Sequence, residues 1–232
     1  MEETPNMRDE ILSTLREKSV LKQKVYDNAL KALNLTKQAL FDISSDFNEQ
    51  LTHIDNRVSL EYKDQGSFEA QLKIAGDLLI FSMHSNIFQF NRENSIWKIP
   101  YVQENKWNSY CGIISIYNFL SDSFKYLREE DLGYLVARIF INQENHFLVE
   151  GKRQFGFLYN NFGKDIISKD IIKQIIMNSI QYTLEFDLLV PPYDNVKIST
   201  VGQMNHKIVS ARIQTGKRLG FAFNSDDVSS GS

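Results

Sequence analysis

Between Met7 and Asp55 apolar residues recur at helical intervals, and after Arg57 the interval drops to two. The first stretch has no Gly or Pro and is rich in Leu, Ala, Lys, Gln and Glu, which lose little rotamer freedom in a helix. Counted by sevens, Leu12, Ser19, Tyr26, Leu33, Leu40, Phe47 and Ile54 form a stripe that is apolar or aromatic at six of seven positions. Three residues further on, Leu15, Lys22, Ala29, Thr36, Ile43, Gln50 and Arg57 are only about half apolar, so the seam is not that of a clean coiled coil. Two arrangements fit: one long helix that projects and pairs with a copy of itself, or a hairpin of two helices breaking near Asp42 to Asp46, where Ser44, Ser45 and Asp46 are good caps.

Past Arg57, Val58, Leu60 and Tyr62 alternate with Ser59, Glu61 and Lys63, and Phe68 to Ile74 alternates likewise. The turns Asp64-Gln65-Gly66 and Ala75-Gly76-Asp77 join these strands to a longer one over Leu78 to Phe90, predicting an antiparallel meander. Further strands are expected at Ser95–Val102, Ser109–Leu120, Tyr134–Ile141, His146–Gly151 and Phe155–Tyr159, with 142–145 as a hairpin connection. Ser168 to Asp187 reads as a helix capped by Ser168, burying Ile172, Ile175, Ile176 and Ile180. After Pro191-Pro192, short strands are expected at Val196–Thr200, Lys207–Gln214 and Arg218–Phe223.

The fold class is therefore α+β: a helical N-terminal segment followed by a mainly antiparallel sheet with a packed helix near 168–187. Residues 1–56 are expected to form the helical segment, 57–223 the β-rich domain and 224–232 a disordered tail.

At 232 residues with 42% hydrophobic and 24% charged residues, the chain has the composition of a globular protein and ample core. The single cysteine, Cys111, lies in an apolar run, is expected to be a buried hydrophobe, and suits a reducing cytosol. The acidic start lacks the form of a signal peptide and no apolar run is long enough to span a bilayer, so a soluble, cytoplasmic protein without membrane contact is expected.

A net charge of −3 gives no global attraction to nucleic acid. Locally, Lys207, Arg212, Lys217 and Arg218 lie in an acid-free stretch beside Phe221 and Phe223, which suits either a phosphate-binding patch or a charge-guarded edge strand.

No phosphate loop, dinucleotide fingerprint, nucleophile elbow or His-Glu-x-x-His occurs, and one cysteine rules out a Cys-rich zinc site. No cofactor is expected. The four histidines are scattered; His84, on a buried-looking strand, is the one worth weighing as catalytic. Glu61 and Lys63 superficially match a metal-dependent nuclease array with Asp55, but Asp55 and Glu61 are too close for adjacent strands, and charged residues alternate throughout this sheet. Trp97, Tyr101, Trp107 and Tyr110 cluster around Pro100 and suit either a sheet core or an interface.

The leading expectation is a non-enzymatic assembly protein: a homo-oligomer or partner-docking protein that uses Leu12, Leu33, Leu40, Phe47 and Ile54 in the helical segment and Trp97, Tyr101 and Trp107 on the body. The alternatives are a small-molecule sensor or enzyme with a pocket near His84, Glu61 and Lys63, and a nucleic-acid accessory protein using the basic C-terminal strands.

Overall fold

The computed structural model describes residues 6–51, 54–55, 58–129, 131–151, 155–186, 197–198 and 200–202. The N-terminal helix is continuous from Met7 to Leu51, in three parts: α1 (Met7–Thr14), a five-residue π segment (Leu15–Ser19) and the 32-residue α2 (Val20–Leu51). Asn6 caps it by accepting from the Arg8 amide, and Asp9 and Glu10 sit in its first turn, where the helix dipole favours negative charge. The π segment adds a residue to one turn. It thereby rotates everything before it by roughly 100° relative to the face that α2 buries.

Of the two expected arrangements, the single long helix is the one formed and the hairpin is not, but the long helix does not project as a whole. No break occurs at Asp42–Asp46: the Ser44 hydroxyl donates back to the Phe41 carbonyl, and Asp42 pairs with Lys169 and Lys173. Nor does the whole helix project, because α2 lies across the sheet and buries Val25, Ala29, Ala32, Leu33, Thr36, Ala39, Leu40 and Ile43. Their spacing follows the 3.6-residue period of a straight helix on a flat surface. Only α1 and the π segment, which bury no residue, extend beyond the body.

The sheet contains β1 (Leu60–Asp64), β2 (Glu69–Ile74), β3 (Asp77–Met83), β4 (Phe88–Gln89), β5 (Tyr110–Leu120), β6 (Tyr134–Ile141) and β7 (Phe147–Gly151). All neighbours are antiparallel, in the order β1-β2-β3-β5-β6-β7, with β4 pairing the start of β5. The expected strand Leu78–Phe90 is thus two strands in one line. It is interrupted at His84, whose Nδ1 accepts from the Asn86 amide.

Alternation divides the faces. Leu60, Leu72, Phe81, Ile116, Ile139 and Val149 join α2 in one core, completed by α6 (Lys169–Leu184). As expected, Ser168 caps α6 through the Ile171 amide, and Ile172, Ile175, Ile176 and Ile180 are buried. The helical segment and the sheet therefore share one hydrophobic core, two layers deep.

Two expected strands are helical instead. Ser95–Lys98 is a 3-10 turn followed by α3 (Pro100–Glu104) and a second 3-10 turn, Lys106–Ser109. Asn94 and Asn105 cap these turns through the Ile96 and Trp107 amides, and Pro100 occupies the first turn of α3. Phe155–Leu158 forms α5, and Phe155 and Tyr159, four apart, both reach the core. The described part of Val196–Thr200 forms no strand. The expected strands after Lys207 and the tail 224–232 lie outside the described residues.

Candidate functional site

The face of the sheet turned away from α2 is only partly covered. At one end, the segment between β3 and β5 packs Ile96, Val102 and the flanking Trp97 and Tyr101 against Phe140 and Phe162. At the other end, α4 (Ser121–Lys125) folds back over the open strands. The Ser121 amide donates to the Gly76 carbonyl at 2.8 Å, tying α4 to the β2–β3 turn, where Ala75 takes a left-handed φ of 49°.

This leaves a hollow of about 630 Å³ whose floor includes Leu78 and whose walls carry Glu61, Lys63, Gln71, Lys73, Phe124 and Lys125. Glu61 and Lys73 face each other in register across β1 and β2, and their side chains form an ion pair. The Lys73 hydrogen bond, helped by the charges of Lys73 and Lys63, outweighs desolvation and holds the Glu61 carboxyl below its ordinary value. A carboxylate so stabilised is a poor general acid at neutral pH and a weakened base. Lys63 is exposed and forms no hydrogen bond or ion pair among the described residues.

Phe124 also walls a second hollow of about 290 Å³, with Phe119, Leu127 and the Ser123–Arg128–Asp131 group around it. Asp131 accepts from the Ser123 hydroxyl at 2.6 Å and pairs with Arg128 at 2.8 Å. Phe124 is 46% and Leu127 74% exposed, so an apolar ridge divides two hollows whose rims carry Lys63, Lys73, Lys125 and Arg128 together with Glu61, Asp122, Glu129 and Asp131.

Of the residues singled out in the sequence, Glu61 and Lys63 meet in the hollow, and His84 does not. It is exposed at the other end of β3, roughly 20 Å along the strand from the Glu61–Lys73 pair, with its ring edge-on to Phe88. Leu33 and Leu40 have no exposed surface, Phe47 and Leu12 are half-buried, and Ile54 is exposed. Trp97 carries Arg92 over its ring, and Trp107 lies against Tyr110. Tyr101 donates to Glu144 at 2.6 Å, accepts from Asn142 at 2.9 Å and stacks edge-on with His146, a network that pins α3 to the β6–β7 connection. Lys207, Arg212, Lys217 and Arg218 lie outside the described residues.

Sequence reasoning missed Phe124 and Lys125, which α4 brings from a distant part of the chain. It also missed Met7 and Ile11, whose four-residue spacing to Leu15 was the available signal. Among the described residues no group of three or more His, Cys, Asp or Glu could hold a metal ion, and no helix is long and apolar enough to cross a membrane. The chain matches no family model, no curated protein and no solved structure.

Proposed function

We propose that the protein acts by assembly, its N-terminal helical extension docking onto a partner while the β-rich body presents a recognition surface. One observation carries this reading. Met7, Ile11 and Leu15, at i, i+4 and i+8, are 74%, 53% and 53% exposed on a helix that buries nothing. Such residues line up on one side of a helix, and an aligned apolar stripe in water is the mark of an interaction site. Helices this short are marginal in water by themselves. This one is nucleated by its continuity with α2 and is thereby held ready for a partner. Leu33 and Leu40 belong to the internal core and are not part of the docking surface.

The test is sedimentation velocity of the full chain beside Ile11→Glu and Leu15→Glu, together with affinity capture by each. The expected result is association, with itself or with a captured protein, that either substitution removes while circular dichroism stays unchanged. Association indifferent to both substitutions would overturn the reading.

A further inference from the structure

We infer that the hollow between the start of α2 and the loop joining β3 to β4 binds a phosphate monoester of a small polyhydroxylated molecule. This hollow is separate from the two that share Phe124 and from the N-terminal stripe. It measures about 450 Å³ and is lined by Lys22, Gln23 and Tyr26 from α2 and by Ser85, Asn86 and Ile87 from the loop.

Its two walls are fixed to each other. Ile87 packs against Leu21, Val25 and Tyr110, which form a small core of their own. The His84 amide donates to the Ile113 carbonyl at 3.0 Å, and His84 Nδ1 accepts from the Asn86 amide at 2.9 Å, so the loop is held beside the helix. Tyr26 is half-buried, with its ring edge-on to Phe68. A ligand therefore meets a preformed surface, little of which has to be ordered on binding.

The lining is polar and carries no carboxylate. Among the described residues the side chains of Lys22, Gln23, Tyr26, Ser85 and Asn86 form no hydrogen bond or ion pair, and Lys22 only lies over the Tyr110 ring, 5.9 Å from its centroid. In the Glu61 hollow, by contrast, Lys73 is already paired. One ammonium, two amides and two hydroxyls thus border the same space with their hydrogen-bonding capacity unused. The ammonium suits an oxyanion, to which its hydrogen bonds are charge-assisted, and the amides and hydroxyls suit a body rich in hydroxyl groups. The space is far larger than one phosphate group, and Ile87 and the Tyr26 ring are its only apolar walls.

The surrounding charge is positive on balance. From Arg16 to Asp27 the chain carries Arg16, Lys18, Lys22 and Lys24 against Glu17 and Asp27, four basic less two acidic, or +2, in a protein of net charge −3. From Leu78 to Arg92 it carries no acidic residue. A local field of that sign favours an anion at this place.

The test is a titration of the full-length protein, read by amide chemical shifts, with glycerol 3-phosphate and glucose 6-phosphate, each beside its parent polyol and inorganic phosphate. The expected result is saturable shifts at Lys22, Ser85 and Asn86 with at least one ester, roughly tenfold tighter than with inorganic phosphate or the parent polyol. Lys22→Gln should weaken that binding roughly tenfold and Asn86→Ala less, both with unchanged melting temperature, while Lys63→Gln in the Glu61 hollow leaves it intact. A parent polyol that binds as tightly as its ester would overturn the oxyanion, and inorganic phosphate binding as tightly as the esters would overturn the polyhydroxylated body. An equal loss with Lys63→Gln would reduce the binding to general attraction by surface lysines and overturn the site, as would the absence of saturable shifts at these residues with either ester. None of these outcomes touches the assembly reading, which stands or falls on association.

Discussion

Asn48, near the end of α2, holds both backbone groups of Leu60: its Nδ2 donates to the Leu60 carbonyl at 2.8 Å, and its Oδ1 accepts from the Leu60 amide at 2.9 Å. Leu60 opens β1, an edge strand, and one side-chain amide stands where the next strand would have to pair. At the strand's other end Lys37 bridges the Asp64 carboxylate and the Gly66 carbonyl. The helix thus guards an edge that would otherwise offer a template to another chain.

Replacing Asn48 by Ala should leave two partly buried backbone groups without this partner, at a cost of about 1–3 kcal/mol. Urea denaturation is expected to show the lower midpoint, and hydrogen exchange a faster Leu60 amide with Leu72 unchanged. Asn48→Asp keeps the acceptor but sets a second acceptor against the Leu60 carbonyl, so it should recover part of the loss at most. A midpoint equal to wild type for Asn48→Ala would show that the clamp adds nothing to stability.

Gly112 lies where α2 crosses β5, and a Cβ built there would stand 2.5 Å from the Cβ of Ala29. Gly112→Ala is expected to destabilise by about 1–3 kcal/mol through overpacking. Adding Ala29→Gly should return part of that loss, and a double-mutant cycle measures the coupling. Strict additivity of the two changes would refute the contact.

Three carboxylates have folded pKa values below their ordinary ones: Asp42 through hydrogen bonds from Lys169 and Lys173, Asp64 through Lys37, and Glu61 through Lys73. A lowered carboxylate pKa contributes stability above its unfolded value, near 4, and that contribution is lost as pH falls through the folded value. Stability should therefore hold between about pH 7 and 5 and decline below about pH 4. Asp42→Asn should be less stable than wild type at neutral pH, with the gap closing in strong acid. A gap of equal size at both pH values would mean that Asp42 acts by something other than its charge.

Cys111 is buried in the sheet, and desolvation pushes its thiol pKa well above the ordinary cysteine value. Native protein should react with a thiol-specific disulfide reagent no faster than it opens, and denatured protein at once. Prompt stoichiometric labelling in native buffer would contradict the burial.

Much of the fold was legible because its cues are local. Tyr134–Ile141 is an apolar run rich in β-branched and aromatic residues and broken only by Arg138, 142–145 has the length of a hairpin connection, and Ser168 precedes an apolar face at helical spacing. What failed depended on packing. A count by sevens picks out Ala29, Leu33 and Leu40 but passes over Ala32 and Ala39, small residues that with Ala29 let α2 lie close on the sheet. Asn94 and Asn105 turn an aromatic stretch helical through caps that an alternation test does not register. His84 read as buried because the strand was extended past Met83, where it ends. Of the hollow, Glu61 and Lys63 were visible from alternation alone. Lys73 follows once the register of the β1–β2 hairpin is known, but Phe124 and Lys125 arrive only through tertiary folding.

The π segment makes the heading of the N-terminal extension a matter of arithmetic. In an uninterrupted α-helix, Met7, Ile11 and Leu15 would share a meridian with Val25, Ala29 and Ala32, and the stripe would run on along the plane of the helical layer. One surplus peptide unit between Leu15 and Ser19 swings it aside. A single-residue deletion there would leave every apolar side chain of the stripe in place and still aim it elsewhere. The number of residues between Leu15 and Val20, as much as their identity, decides which way the stripe faces.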